Sequence, residues 1–420
     1  MSVGLAAALA STASAAPVFT PILTVNCFGF GVCAPGVPVT QMVETFPGQF
    51  IGVMEFGVMY MLSSTGEFSQ GYVINDTNTM NSTPLLASDG NLYVPGSVGA
   101  SNNGTMVVEF NVGLTFLQDI ATPAYPYGIS LVETPDQVLH GAGRPGNYAQ
   151  SRFTMTLDGT VTDQADMPQD LALGAMLVSK SGELYGLTVP WSGTPSSSLL
   201  RFAADGSYTT VATFPTAVPT LIEASDGNFY GCNGTLFRVT PAGVYTSFPD
   251  APTGYGCVIQ ASDGLFYGAN PDQVFSITLD GVFTPVYDFN GFDGGQLTSQ
   301  YVATIIQGSD GKLYGQTTGL VDSNGTIGAT TYSLDLGLPK PQPDIVRASA
   351  RILAADASVL ITGHNFLGAT QVTIDGRPVR FQVRAAEYLE VTVPKRPTSG
   401  NLVVTTPNGT ATSAFKLYIR

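Results

Sequence analysis

Polar and apolar residues alternate along most of this chain in short runs, each broken by a turn. That period-2 pattern predicts half-buried β-strands. One phrase recurs. Clear copies end in Leu92-Tyr93, Leu184-Tyr185-Gly186, Phe229-Tyr230-Gly231, Phe266-Tyr267-Gly268 and Leu313-Tyr314-Gly315; worn ones end in Phe50-Ile51-Gly52 and Leu139-His140-Gly141. Their turn residues align as Gly48, Gly90, Gln137, Gly182, Gly227, Gly264 and Gly311, with Gln137 the departure. Asp precedes the turn residue in most copies, and Asp-Gly between apolar runs predicts a hairpin because Gly accepts positive φ and Asp tolerates it. Three positions before the turn residue every copy is small: Thr45, Ala87, Thr134, Ser179, Ala224, Ala261 and Gly308. Such a column marks a crowded strand position.

A second hairpin follows each first one, as in Val58–Phe68, Leu199–Tyr208 and Val274–Phe283, so each unit holds four strands and recurs about every 37–47 residues. Four strands at that period predict the blades of a β-propeller. The seventh unit lacks a fourth strand after Thr331–Leu336, while Val18-Phe19-Thr20-Pro21-Ile22 nearly copies the fourth strand Val282-Phe283-Thr284-Pro285-Val286. The N-terminal strand is therefore expected to complete the last blade and seal an open sheet edge. The expected fold is all-β: a seven-bladed β-propeller over residues 17–338, then an immunoglobulin-like β-sandwich over residues 344–420. Between them Leu338-Pro339-Lys340-Pro341-Gln342-Pro343 reads as a stiff linker centred on 339–343. In the last module Ser358–Ile361, Gln371–Ile374, Leu389–Val393, Leu402–Thr405 and Phe415–Ile419 alternate as strands of sandwich size.

Two resemblances rest on these residues. The run Ile259-Gln260-Ala261-Ser262-Asp263-Gly264, with Tyr267-Gly268 and Val282-Phe283-Thr284-Pro285, resembles the GloVer tandem repeat of exported bacterial proteins. That resemblance implies export and a propeller-like array; the family's activity is largely undefined, so it adds no catalytic residues, and its loops often carry a cysteine pair like Cys27 and Cys33. The stretch Ile361-Thr362-Gly363-His364-Asn365-Phe366, with Gly368-Ala369-Thr370, Val393-Pro394 and Thr406-Pro407-Asn408-Gly409, is similar to an IPT/TIG immunoglobulin-like domain. That family is used for spacing, packing against a neighbour and binding.

Composition narrows the function classes. The 420 residues carry only 11% charged side chains and a net charge of −15. With no basic run, a phosphate backbone would be repelled, which argues against nucleic acid. No apolar stretch after the N-terminus is long enough to span a bilayer. Residues 1–16 read as an export signal, with apolar Val3 to Ala10 and a small-residue site at Ala13-Ser14-Ala15. The missing Lys or Arg means that either the true start lies upstream or this is no signal. The expected setting is secreted or cell-surface, as a monomer.

Four cysteines in an exported chain suggest two disulfides, with three possible pairings. Cys27–Cys33 and Cys232–Cys257 are favoured, the second because the repeat register sets both residues at the end of neighbouring blades opposite the Asp-Gly turns. Buried free thiols are the alternative.

Chemistry is sparse. There are two histidines, and His140 stands in the tyrosine column with Tyr93, Tyr185, Tyr230, Tyr267 and Tyr314, which reads as structural substitution. His364 reads as part of a turn. No His/Cys cluster points to a transition metal and no Gly-x-Ser-x-Gly elbow to a nucleophile. No cofactor is expected. The loop Asp288-Phe289-Asn290-Gly291-Phe292-Asp293 suggests calcium but lacks the full ligand spacing, and turn chemistry explains most such aspartates. Four residues before the turn residue stand Glu44, Leu86, Glu133, Val178, Glu223, Gln260 and Gln307. If the first strand of each blade is innermost, Glu44, Glu133, Glu223, Gln260 and Gln307 form a partial ring that binds a cation or polar ligand, or simply lines a wet channel. Trp191 is the one tryptophan, placed to stack on a sugar or to pack in its loop. Asn75, Asn81, Asn103, Asn233, Asn324 and Asn408 open sequons that turn preference also explains. The leading expectation is a non-catalytic binding or scaffold protein whose propeller face contacts glycan or protein. The alternatives are a polysaccharide hydrolase or lyase using Glu44, Glu133 or Glu223, and a purely architectural envelope component.

Overall fold

The computed structural model describes residues 16–28, 32–33, 40–54, 57–74, 83–97, 105–122, 127–144, 150–167, 172–189, 196–254, 257–270, 272–289, 305–318, 328–395 and 399–420. Trp191, most of the acidic loop after Asp288, residues 1–15 of the segment read as an export signal, and Asn75, Asn81, Asn103 and Asn324 lie outside the described residues. The described residues contain no α-helix and form nine sheets.

Six antiparallel four-stranded sheets follow one another over residues 43–73, 85–122, 127–167, 172–214, 221–254 and 259–288, and are called here the first to sixth. The seventh joins Ile305–Gln307, Leu313–Thr318 and Gly328–Asp335 to the N-terminal strand Val18–Phe28. Val18 pairs with Asp335 and Phe19 with Leu334, so the start of the chain fills the place vacated by the missing fourth strand. Phe19 stacks on Tyr332 and Tyr287, which fastens this strand to both the seventh and the sixth sheets.

Each sheet buries one face against the next. Tyr185, Phe214, Phe229 and Phe237 form a core between the fourth and fifth sheets, and Tyr230, Leu236, Phe266 and Phe275 between the fifth and sixth. Phe50 of the first sheet packs on Tyr314 of the seventh, with ring centroids 4.4 Å apart. The first and last sheets of the series are therefore in contact with each other. The last strands of these sheets are the more exposed: Phe116–Thr122 has four exposed positions of seven, and Phe283–Asp288 has no buried one.

The Tyr-Gly phrase has a steric cause. The glycine lies opposite an aromatic of the third strand, and a Cβ at Gly268 would stand 2.6 Å from Phe275 Cζ. Gly52 meets Tyr60, Gly141 meets Phe153, Gly231 meets Phe237 and Gly315 meets Tyr332 in the same way. A ring lying over a strand glycine restores the packing that the glycine lacks.

Residues 344–420 form two further sheets that share one core including Val359, Ile361, Phe366, Leu389, Leu402 and Leu417. This module sits on the Asp-Gly turn ends of the preceding sheets rather than at the end of a free spacer. Arg384 Nη1 donates to Asp89 O at 3.4 Å, and Asn408 Nδ2 donates to Ser309 O at 2.7 Å and Pro341 O at 3.2 Å. Ala385 is fully buried in the core that holds Leu86, Leu92 and Phe110. The linker itself is fastened, because Ser262 Oγ and Gln307 Nε2 both donate to Pro339 O.

Candidate functional site

The glutamate and glutamine column predicted from the repeat is brought to the turn ends, where its members bond the turn of the preceding sheet. Ser309 N–H and Oγ–H donate to Glu44 at 2.8 Å each, which joins the seventh sheet to the first. Ser88 N–H donates to Glu133 Oε2 at 2.8 Å, and Ser88 Oγ–H donates to its other oxygen. Lys180 N–H donates to Glu223 at 2.5 Å, Ser225 N–H to Gln260 at 2.7 Å, and Ser262 N–H to Gln307 at 2.8 Å. The amides also give: Gln260 Nε2 donates to Ser225 Oγ at 3.0 Å and Gln307 Nε2 to Ser262 Oγ at 2.9 Å. Leu86 and Val178 have no side-chain acceptor and break the series. Burial pushes the Glu133 carboxyl up to about 7 and raises Glu44 as well, while the serine bonds pull both down. Tyr388 of the C-terminal module also bonds Glu133.

The turn aspartates are engaged in the same local way. One oxygen of Asp89, Asp226, Asp263 and Asp310 accepts the N–H two residues on, and the other accepts the column tyrosine, as in Tyr93 Oη–H to Asp89 at 2.9 Å and Tyr314 Oη–H to Asp310 at 2.8 Å. Among the described residues no cluster of three or more His, Cys, Asp or Glu could hold a metal ion.

The third sheet departs from this pattern at two positions, and a cavity lies there. Gln137 keeps the turn with a φ of 66°, a region that costs a side chain energy, and its Nε2 lies 3.4 Å from Ser88 Oγ. His140 replaces the tyrosine, and beside it a space of about 600 Å³ lies between the third and fourth sheets. Phe153, Met176 and Phe202 give it apolar walls. Arg152, only 8% exposed, places its guanidinium carbon 5.0 Å from the Phe202 centroid while Nη2 donates to Gly206 O at 3.2 Å. From the C-terminal module Arg347 reaches the same cavity and lies against Gly182, where any Cβ would strike it. Its Nε is buried without a hydrogen-bond partner among the described residues. Burial lowers the His140 pKa, so the ring is neutral at pH 7.

The remaining predicted positions are placed as follows. Cys232 and Cys257 form a disulfide with Cα atoms 5.3 Å apart, joining the fifth sheet to the segment that opens the sixth. Strand register sets Cys27 opposite Cys33. His364 ends the strand Ser358–His364 rather than lying in a turn, with Nδ1 3.5 Å from Asp344 Oδ2. Sequence reasoning missed Arg152 and Arg347. The available signal was that two departures, Gln137 and His140, fall in one repeat.

No protein-family profile matches the chain, and no curated protein does. Solved structures do. A streptogramin B lyase matches 76% of this chain and 98% of its own at 13% identity and a TM-score of 0.53. A catalytically inactive virginiamycin B lyase from Staphylococcus aureus with quinupristin matches 76% of this chain and 99% of its own, at 11% identity and a TM-score of 0.53. A selenomethionine form of that lyase gives 13% identity and a TM-score of 0.52 over 76% of this chain and all of its own. At such identities the likeness concerns fold alone: the chain is an all-β protein of propeller type built from four-stranded antiparallel sheets.

Proposed function

We propose that this chain is an exported cell-surface binding or scaffold protein without catalytic activity. It comprises a seven-bladed β-propeller of GloVer-type repeats closed by its N-terminal strand and an IPT/TIG immunoglobulin-like module. The seating of that module carries the reading. It contacts turns at Asp89, Gly182 and Ser309, from the second, fourth and seventh sheets, while the linker before it is held at Ser262 of the sixth. The opposite ends of the sheets, stapled at Cys232–Cys257, are then the face that meets glycan or protein. Glu44, Glu133 and Glu223 each accept a backbone N–H from a neighbouring sheet, which favours a structural role over acid–base work on polysaccharide. The test is a binding screen of the full chain on arrayed glycans and whole bacterial surfaces. Saturable binding is expected. Absence of binding to both discards the reading.

A further inference from the structure

Charge in the cavity between the third and fourth sheets is sorted by depth. The deep ionised group is a cation, Arg152, and Arg347 closes the space from the module side. The acids stand at the rim: Thr134 Oγ donates to Asp136 at 2.6 Å, Asp136 also acts through space on Arg347, and Glu183 lies 3.4 Å from Arg201. Of 16 basic residues in the whole chain, two therefore converge on one space. A guanidinium is a planar fork matched to a carboxylate. Beside them Gln164 and the neutral His140 ring offer donors and acceptors suited to hydroxyl groups, while Phe153 and Phe202 offer faces for C–H groups. A volume of about 600 Å³ fits a small molecule.

We infer that this cavity binds a hexuronate, its carboxylate held by Arg152 and Arg347 and its ring hydroxyls by Gln164 and His140. The site is separate from the face proposed to meet glycan or protein and stands or falls without it. The long-range repulsion expected from a net charge of −15 is screened within about 8 Å at physiological salt, so the nearby guanidinium groups govern binding.

The experiment is calorimetric titration of the full chain with D-glucuronate and D-galacturonate, against D-glucose and acetate. A hexuronate is expected to bind at least about tenfold more tightly than either control, since neither combines carboxylate with ring. Two variants locate the site. His140→Tyr restores the repeat's own residue, whose hydroxyl can meet Asp136 as Tyr93 meets Asp89, and puts a bulkier ring into the cavity in place of the imidazole. Arg347→Met keeps the stem and removes the fork. Both are expected to lose at least about tenfold in affinity. Should His140→Tyr fail to fold, Arg347→Met with an unchanged melting temperature decides alone. Hexuronate binding no tighter than glucose, or undiminished in a folded variant, overturns the assignment.

Discussion

At Glu133 burial and hydrogen bonding oppose each other, and burial wins: the carboxyl is pushed up to about 7 from an ordinary value of 4.5. The folded chain then holds this proton more tightly than the unfolded one. Stability from this group is full below pH 4.5 and is lost as pH rises through 7, a difference on the order of 3 kcal/mol. The sixth and seventh sheets show the remedy, since Gln260 and Gln307 make the same bonds without a charge. Glu133→Gln is therefore expected to match the parent at pH 4 and exceed it at pH 8. Chemical denaturation across that range reads the difference, and a parallel pair of curves would refute it. Gly268 offers a steric counterpart. A Cβ there would stand 2.8 Å from Phe275 Cε2 and 3.2 Å from Val258 Cγ1, so Gly268→Ala should cost about 1–3 kcal/mol. A loss in melting temperature checks it.

Strands and their order were legible because each unit restates the pattern, so a column of small or apolar residues could be read by comparing copies within one chain. The likeness of Val18–Ile22 to Val282–Val286 even located the pairing of the first strand with Gly328–Asp335. What a column's polar side chains touch was not legible, because Glu44 and Ser309 meet across the join of first and last units, 265 residues apart. Periodicity within a unit is silent on contacts between units. The Cys232–Cys257 bond is an exception, since register set both thiols at one end of adjacent sheets. It closes a loop across a separation of 25 residues, worth about 3 kcal/mol in the chain-entropy description. Replacing both cysteines by serine should lower the melting temperature under oxidising conditions and reduce its sensitivity to reductant. An unchanged response to reductant would point to another bond as the source of that sensitivity.

For the whole molecule the alternating prolines suggested a spacer, yet Pro339 O and Pro341 O accept side-chain bonds and the module lies against the turns. Sequence could not show this, since the surfaces that meet are ordinary: Ala385, Tyr388, Arg384 and Asn408 fall outside the strands expected for the module, and nothing marks them until Leu86, Glu133, Asp89 and Ser309 are set opposite them. The seating has a thermodynamic consequence. Domains joined by a free linker melt independently, whereas a shared buried core couples their unfolding. Ala385 is wholly buried in a core belonging otherwise to the first and second sheets, so removing the module uncovers that core. Differential scanning calorimetry of the full chain should give one transition. Ending the chain at residue 338 should lower the melting temperature of the remaining sheets. Ala385→Asp should do the same and split the transition in two, because it places an unpaired charge in that core. Two transitions in the unaltered chain, or a truncated form that melts where the parent does, would show that the module rests on the turns without stabilising them.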